Sequence, residues 1–158
     1  MPNYHHVERE SVSAMTATVK PMPDSPSSAG RDLRDLVDPV VVMAFGGWND
    51  AGNAATGAIE HLAEAYQARP VYALDPDDFY DFQVNRPRVS LTEDDDREIT
   101  WPTTELKIAE LPDGRALILV QGLEPNLRWR QFSTLIASAL SSASVTRVHL
   151  LGALLADT

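Results

Sequence analysis

The stretch that decides the fold is Val40-Val41-Val42-Met43-Ala44-Phe45-Gly46-Gly47-Trp48-Asn49-Asp50-Ala51-Gly52. Its first six residues form a continuously apolar, largely β-branched run, the composition of a strand buried on both faces of a parallel sheet. Gly46-Gly47 ends the run, and Asp50 or Asn49 is placed to cap a helix. That helix carries its apolar stripe on Ala51, Ala55, Ala58, Ile59, Leu62 and Tyr66, the spacing of one helical face. A second apolar run, Val71-Tyr72-Ala73-Leu74, follows at once. Strand, helix and strand within ~36 residues predict a βαβ unit with a right-handed crossover.

Working outward, the next elements change the rhythm. Arg88 to Leu91 and Arg97 to Trp101 flank the acidic turn Glu93-Asp94-Asp95-Asp96 and read as a hairpin. Leu106 to Leu111 and Ala116 to Val120 flank Pro112-Asp113-Gly114, where Asp-Gly supplies the positive φ a tight turn needs. The sheet is therefore expected to be mixed, though mostly parallel. A second amphipathic helix runs through Trp129, Phe132, Leu135, Ile136, Ala139 and Leu140, and a last strand through Val145 to Leu151. With only two good helices, that last strand has no partner to cover it, which predicts an incomplete copy of a larger three-layer α/β/α domain.

Residues 1–37 read differently. Lys20 to Gly30 is rich in proline and serine and poor in large apolar side chains, too little to offset ordering entropy. The expected organisation is a disordered tail over 1–37 and an α/β domain over 38–158.

Composition excludes several function classes. The 158 residues contain no cysteine, which removes disulfides, thiolate nucleophiles and Cys-ligated metal. Twenty-three acidic against thirteen basic residues give a formal net charge of -10, which repels nucleic acid and anionic lipid. No basic-then-apolar leader opens the sequence, and no apolar run approaches the roughly 18 residues of a membrane span. A cytoplasmic address is expected.

The chemistry-bearing candidates are sparse. The glycines of Gly46 to Gly52 sit where α/β proteins bind phosphate, but Asn53 and Ala54 stand where a P-loop needs lysine and serine or threonine, and Trp48 where a dinucleotide fingerprint needs glycine. Asp50 would also place negative charge at the phosphate position. Asp75-Pro76-Asp77-Asp78-Phe79-Tyr80-Asp81 fails as an EF-hand loop, with Tyr80 at the glycine position and Arg86 at the terminal glutamate. His61 and His149 are isolated, and the serines at 138, 141, 142 and 144 lack a nucleophile elbow. No catalytic residue, metal site or cofactor is expected.

The segments Phe45 to Gly52, Asp75 to Pro87, Ile99-Thr100-Trp101-Pro102, Gln121 to Pro125 and Trp129-Arg130 together resemble the proteasome assembly chaperone family, in its actinobacterial branch. The resemblance covers residues 38–158. It implies a nucleoside-phosphorylase-like α/β/α fold, self-association with a trimer among the states it allows, and protein partners, proteasome subunits among them. Ring-binding relatives use a carboxy-terminal hydrophobic-Tyr-X tail, and the residues Ala156-Asp157-Thr158 depart from it. Some relatives carry the label of ATP-dependent carboxylate-amine ligases, which makes an enzyme on a phosphorylase-like or ligase-like fold the alternative to a protein-binding module. The expected interface residues are Trp48, Asn49, Asp50, Phe79, Tyr80, Phe82 and Arg86. Some of the aromatic surface of Asp75 to Pro87 is expected to face outward, because burying every ring would draw the interleaved carboxylates towards low dielectric; the alternative is a loop whose aromatics fold back to cap the sheet while the acids stay in water.

Overall fold

The computed structural model describes residues 17–19, 33–92 and 94–155. Its centre is a five-stranded sheet built from β2 (Val40–Gly46), β3 (Arg69–Ala73), β6 (Glu105–Glu110), β7 (Ala116–Leu123) and β8 (Arg147–Leu150), in the order β3-β6-β7-β2-β8. β2 runs parallel to both β7 and β8, whereas β6 is antiparallel to β7 and to β3. The sheet is thus mixed, with four of its five strands pointing one way. Helix α1 (Ala54–Ala65), entered through a 3-10 turn at Ala51–Asn53, lies on one face, and helix α3 (Trp129–Ser142) on the other. A single helical turn, α2 (Pro76–Phe79), follows β3.

The alternation along the central strands sets the two cores. Val41, Ile118 and Val120 pack with Phe132, Ile136 and Leu140 of α3, while Ala44, Leu117 and Leu119 pack with Ala55 and Ile59 of α1. Burial on both faces is why β2 and β7 read as unbroken apolar runs. The strand-helix-strand unit is corrected in one respect: β2 and β3 point the same way but are not neighbours, because the β6–β7 hairpin lies between them. That hairpin turns at Asp113-Gly114 with Gly114 at φ 83°, the positive φ that a tight turn between β6 and β7 needs.

The second hairpin, β4 (Arg88–Leu91) with β5 (Arg97–Thr100), does not join this sheet. It forms a separate three-stranded sheet with β1 (Ala17–Val19), in the order β1-β5-β4. Most of the expected tail lies outside the described residues. Where it is described it is not structureless: β1 pairs parallel with β5, and Leu33 is completely buried with Leu36 packed beside it. Leu33 and Leu36, spaced three apart, thus reach the core just ahead of β2.

Candidate functional site

Two segments emerge at the carboxyl ends of β2 and β7, the place where open α/β sheets hold ligands. After β2 come Gly47, Trp48, Asn49 and Asp50; after β7 come Glu124, Pro125 and Asn126. The backbone N–H of Glu124 donates to Gly46 O at 2.9 Å. The Asn49 side-chain amide reaches Glu124 Oε1 at 3.5 Å, the long end of hydrogen bonding. The chain leaving β8 runs back beside them, with Ala153 N–H donating to Asn49 O at 2.7 Å and Ala51 N–H to Ala153 O at 3.0 Å.

Asp50 is the pivot. Its side chain is only 6% exposed, and its carboxylate accepts from Ala55 N–H at 2.7 Å, from Thr56 N–H at 3.3 Å and from the Thr56 hydroxyl. It caps α1 from outside the usual N-cap position, which Asn53 occupies in a left-handed conformation at φ 55°. Burial pushes the carboxyl upward, but the Thr56 hydroxyl and the two backbone amides outweigh it and hold Asp50 below its ordinary value. The amides a phosphate would use at this helix end are taken by the protein's own carboxylate.

From this corner a groove of about 690 Å³ runs between α3 and β8. Met43, Phe45, Phe132, Ile136 and Leu140 line it from the sheet and helix, and Asn49, Glu124, Trp129 and Ser133 add to its walls. The registers Val41 to Val148 and Met43 to Leu150 carry the core face of β2 straight onto β8. There α3 no longer covers it, and Val148 and Leu150 stand 48% and 67% exposed. Trp48, on the same loop as Asn49, is 87% exposed. An apolar trough with few polar groups suits a side chain or helix face of another polypeptide better than a charged metabolite.

The expected interface set is divided by the structure. Asn49 is exposed and lines the groove, Trp48 is exposed beside it on the same loop, and Asp50 is an interior cap. Phe79 and Tyr80 are core residues, 1% and 3% exposed, so these two expected interface residues follow the alternative in which the rings fold back onto the sheet and the acids stay in water. Phe79 meets Phe132 edge-on at 5.6 Å between ring centres. The Tyr80 hydroxyl donates to Leu123 O at 3.1 Å and shares a 2.8 Å hydrogen bond with the fully buried Thr104; burial raises its pKa. Phe82 is half-buried against Trp101 at 4.8 Å. Arg86 is exposed, at the foot of β4 and apart from the groove. The carboxylates escape because the segment is a helical turn followed by bends: the Asp75 carboxylate accepts from Asp77 N–H, that of Asp81 from Gln83 N–H, and Asp78 pairs with Arg128. Gly122 makes room for this packing, since a Cβ there would lie 2.1 Å from Thr104 Oγ1.

Residues 75–87 and 121–130, far apart in sequence, are consequently one unit. Asn126 and Leu127 N–H both donate to Phe79 O, and the Asn126 side-chain oxygen accepts from Asp81 N–H and the Asn85 amide. Among the described residues no group of three or more His, Asp or Glu could hold a metal ion. Among them too, no helix is long and apolar enough to cross a membrane. Sequence reasoning missed Glu124, Val148 and Leu150 as groove residues, although a final strand lacking a covering helix was the signal for the last two.

Fold and groove define the chain as an α/β/α module with an uncovered apolar face. The PAC2 family model matches residues 44–158, and the chain belongs to that family. Among solved structures it is similar to a proteasome-assembly chaperone homologue from Mycobacterium tuberculosis, at 44% identity over 75% of this chain and 51% of that one, with a TM-score of 0.69. A PAC2 family protein from Streptomyces avermitilis is similar at 46% identity over 77% of this chain and 52% of that one, TM-score 0.69. A protein of unknown function from Mycobacterium tuberculosis shares 29% identity over 73% of this chain and 40% of that one, TM-score 0.64. The chain spans about half the length of the first two, in keeping with an incomplete copy of the family domain. No functionally curated protein matches it.

Proposed function

We propose that this chain is a non-enzymatic, cytoplasmic protein-binding module that assists or scaffolds assembly of a protein complex and associates with itself. Proteasome core subunits are the partner class. The observation that carries the reading is the apolar groove between α3 and β8, with Trp129 53% exposed along it and exposed Trp48 next in sequence to its lining residue Asn49. Aromatic anchors beside an apolar trough are the usual anatomy of a protein interface. The similarity to a proteasome-assembly chaperone homologue supplies the partner class. Asp50 at the amino end of α1 weighs against the enzyme alternative, since it fills the place of a phosphate.

The test mixes the chain with purified actinobacterial core-particle subunits and follows assembly intermediates by native electrophoresis. The wild-type chain is expected to be retained on an intermediate, and Trp48→Ala or Leu150→Asp to weaken retention by about 30-fold, the equivalent of about 2 kcal/mol at an anchor position. Retention unaffected by either change would remove the groove from the reading. A concentration-dependent rise in melting temperature with ATP and Mg²⁺, or with a nucleoside, would favour the enzyme instead.

A further inference from the structure

The arm made by β4 and β5 belongs to a sheet of its own, and among the described residues nothing pairs with its outer edge. Among the described residues β4 pairs only with β5, and all four of its residues are exposed. Val89 and Leu91 are 63% and 66% exposed. Among the described residues the backbone of these two has no pairing partner either. Thr92 N–H donates to Asp96 O at 2.8 Å, making those residues a hydrogen-bonded pair. With the register Ser90 to Glu98 and Arg88 to Thr100, alternation along an antiparallel ladder turns the amides and carbonyls of Val89 and Leu91 away from β5. An exposed edge with apolar side chains and no pairing partner is a template for another strand.

The charge along this edge selects the strand. Arg86 and Arg88 precede Val89, and Asp94, Asp95 and Asp96 follow Leu91. Neither arginine has an ion pair among the described residues. A strand that is basic at its start and acidic at its end is complementary to itself in the antiparallel sense. From this geometry we infer that β4 is a self-association edge, on which β4 of a second copy of this chain adds about a two-fold axis at Ser90.

In that register the outward amides of Val89 and Leu91 bond the carbonyls of Leu91 of the partner subunit and Val89 of the partner subunit. The apolar side chains then stack as two cross-strand pairs. At each end of the pair Arg86 and Arg88 of one copy then lie towards the acidic turn of the partner subunit, which closes through Asp95 N–H on Thr92 O at 3.1 Å and holds Asp94 beyond the strand end; charges of opposite sign meet there twice by symmetry. The inference rests on the self-association part of the reading above and gives it a surface.

Sedimentation of the purified chain from about 1 to about 100 µM tests it. The expected species is a dimer. Val89→Lys and Leu91→Lys are each expected to weaken it by about 30-fold or more, as for a central interface residue. Arg86→Glu and Asp94→Arg are each expected to weaken it by up to about fivefold, and the double variant to recover the wild-type affinity. Circular dichroism should be unaltered throughout. A chain monomeric over the whole range would overturn both this inference and the proposed self-association. An oligomer indifferent to the arm changes and broken by Leu150→Lys, or charge variants whose combination does not recover, would overturn the β4 edge alone.

Discussion

Residues 75–87 and 88–100 adjoin in sequence and treat their apolar side chains in opposite ways. The first carries Phe79, Tyr80 and Phe82 among four aspartates and buries two of the rings almost completely. The second carries Val89 and Leu91 on a regular strand and leaves both in solvent. Interleaved charge therefore does not decide exposure here; backbone geometry does. A helical turn and a run of bends send successive side chains in unrelated directions, so an aromatic and its neighbouring carboxylate can part company. A strand in a two-faced sheet buries a side only if another layer covers it, and among the described residues no helix packs on the arm.

The largest effect that could break this contrast is at Tyr80. Replacing it by alanine removes a buried ring and both of its hydroxyl contacts, to Leu123 O and to Thr104. A loss of about 3–5 kcal/mol in denaturant melts is expected, with the association state of the remaining folded protein unchanged. A stable variant with weakened association would mean that the ring serves an interface after all, and the contrast would dissolve.

Asp50 sharpens the contrast from the other side, because it is an acid that does go inside. Its folded pKa is depressed, so the stability it contributes is present above the carboxyl's unfolded value and lost as pH falls through the folded one. Thermal melts should be flat near neutrality and fall below about pH 4. Asp50→Asn is expected to cost about 1–2 kcal/mol at pH 7 and to shrink that acid limb, measured by melts of both proteins across the same pH range. An identical acid limb in the variant would show that other carboxylates set it.

How far these regions were legible follows from the same physics. The central strands and both long helices could be read because burial imposes a period, and the Asp113-Gly114 turn because it demands a particular φ. The insertion of β6 and β7 between β2 and β3 was not legible, since the order of strands in a sheet is set by pairings between segments distant in sequence and not by any one strand's own pattern. The burial of Phe79 and Tyr80 was missed because their partners, Phe132, Thr104 and Leu123, lie 24 or more residues away. Trp48 was named only as an interface candidate and stands exposed between Gly47 and Asn49, whereas the groove depended on where α3 stops covering the sheet.

The smallest effect expected lies on the arm, and it is the one that separates the two regions most cleanly. Leu91 has the same apolar character as the rings of 75–87, yet it is 66% exposed and lies on an edge. Its replacement by lysine removes little buried area, leaves the hydrogen bonds of β4 to β5 intact, and adds a solvated charge beside the acidic turn at Asp94 to Asp96. Monomer stability should therefore stay within about 0.5 kcal/mol of wild type, measured at a protein concentration below the dissociation range so that association does not contribute. A loss comparable to that at Tyr80 would mean that Leu91 is supported by the protein's own interior, and the arm would have to be read as a covered layer rather than an open edge.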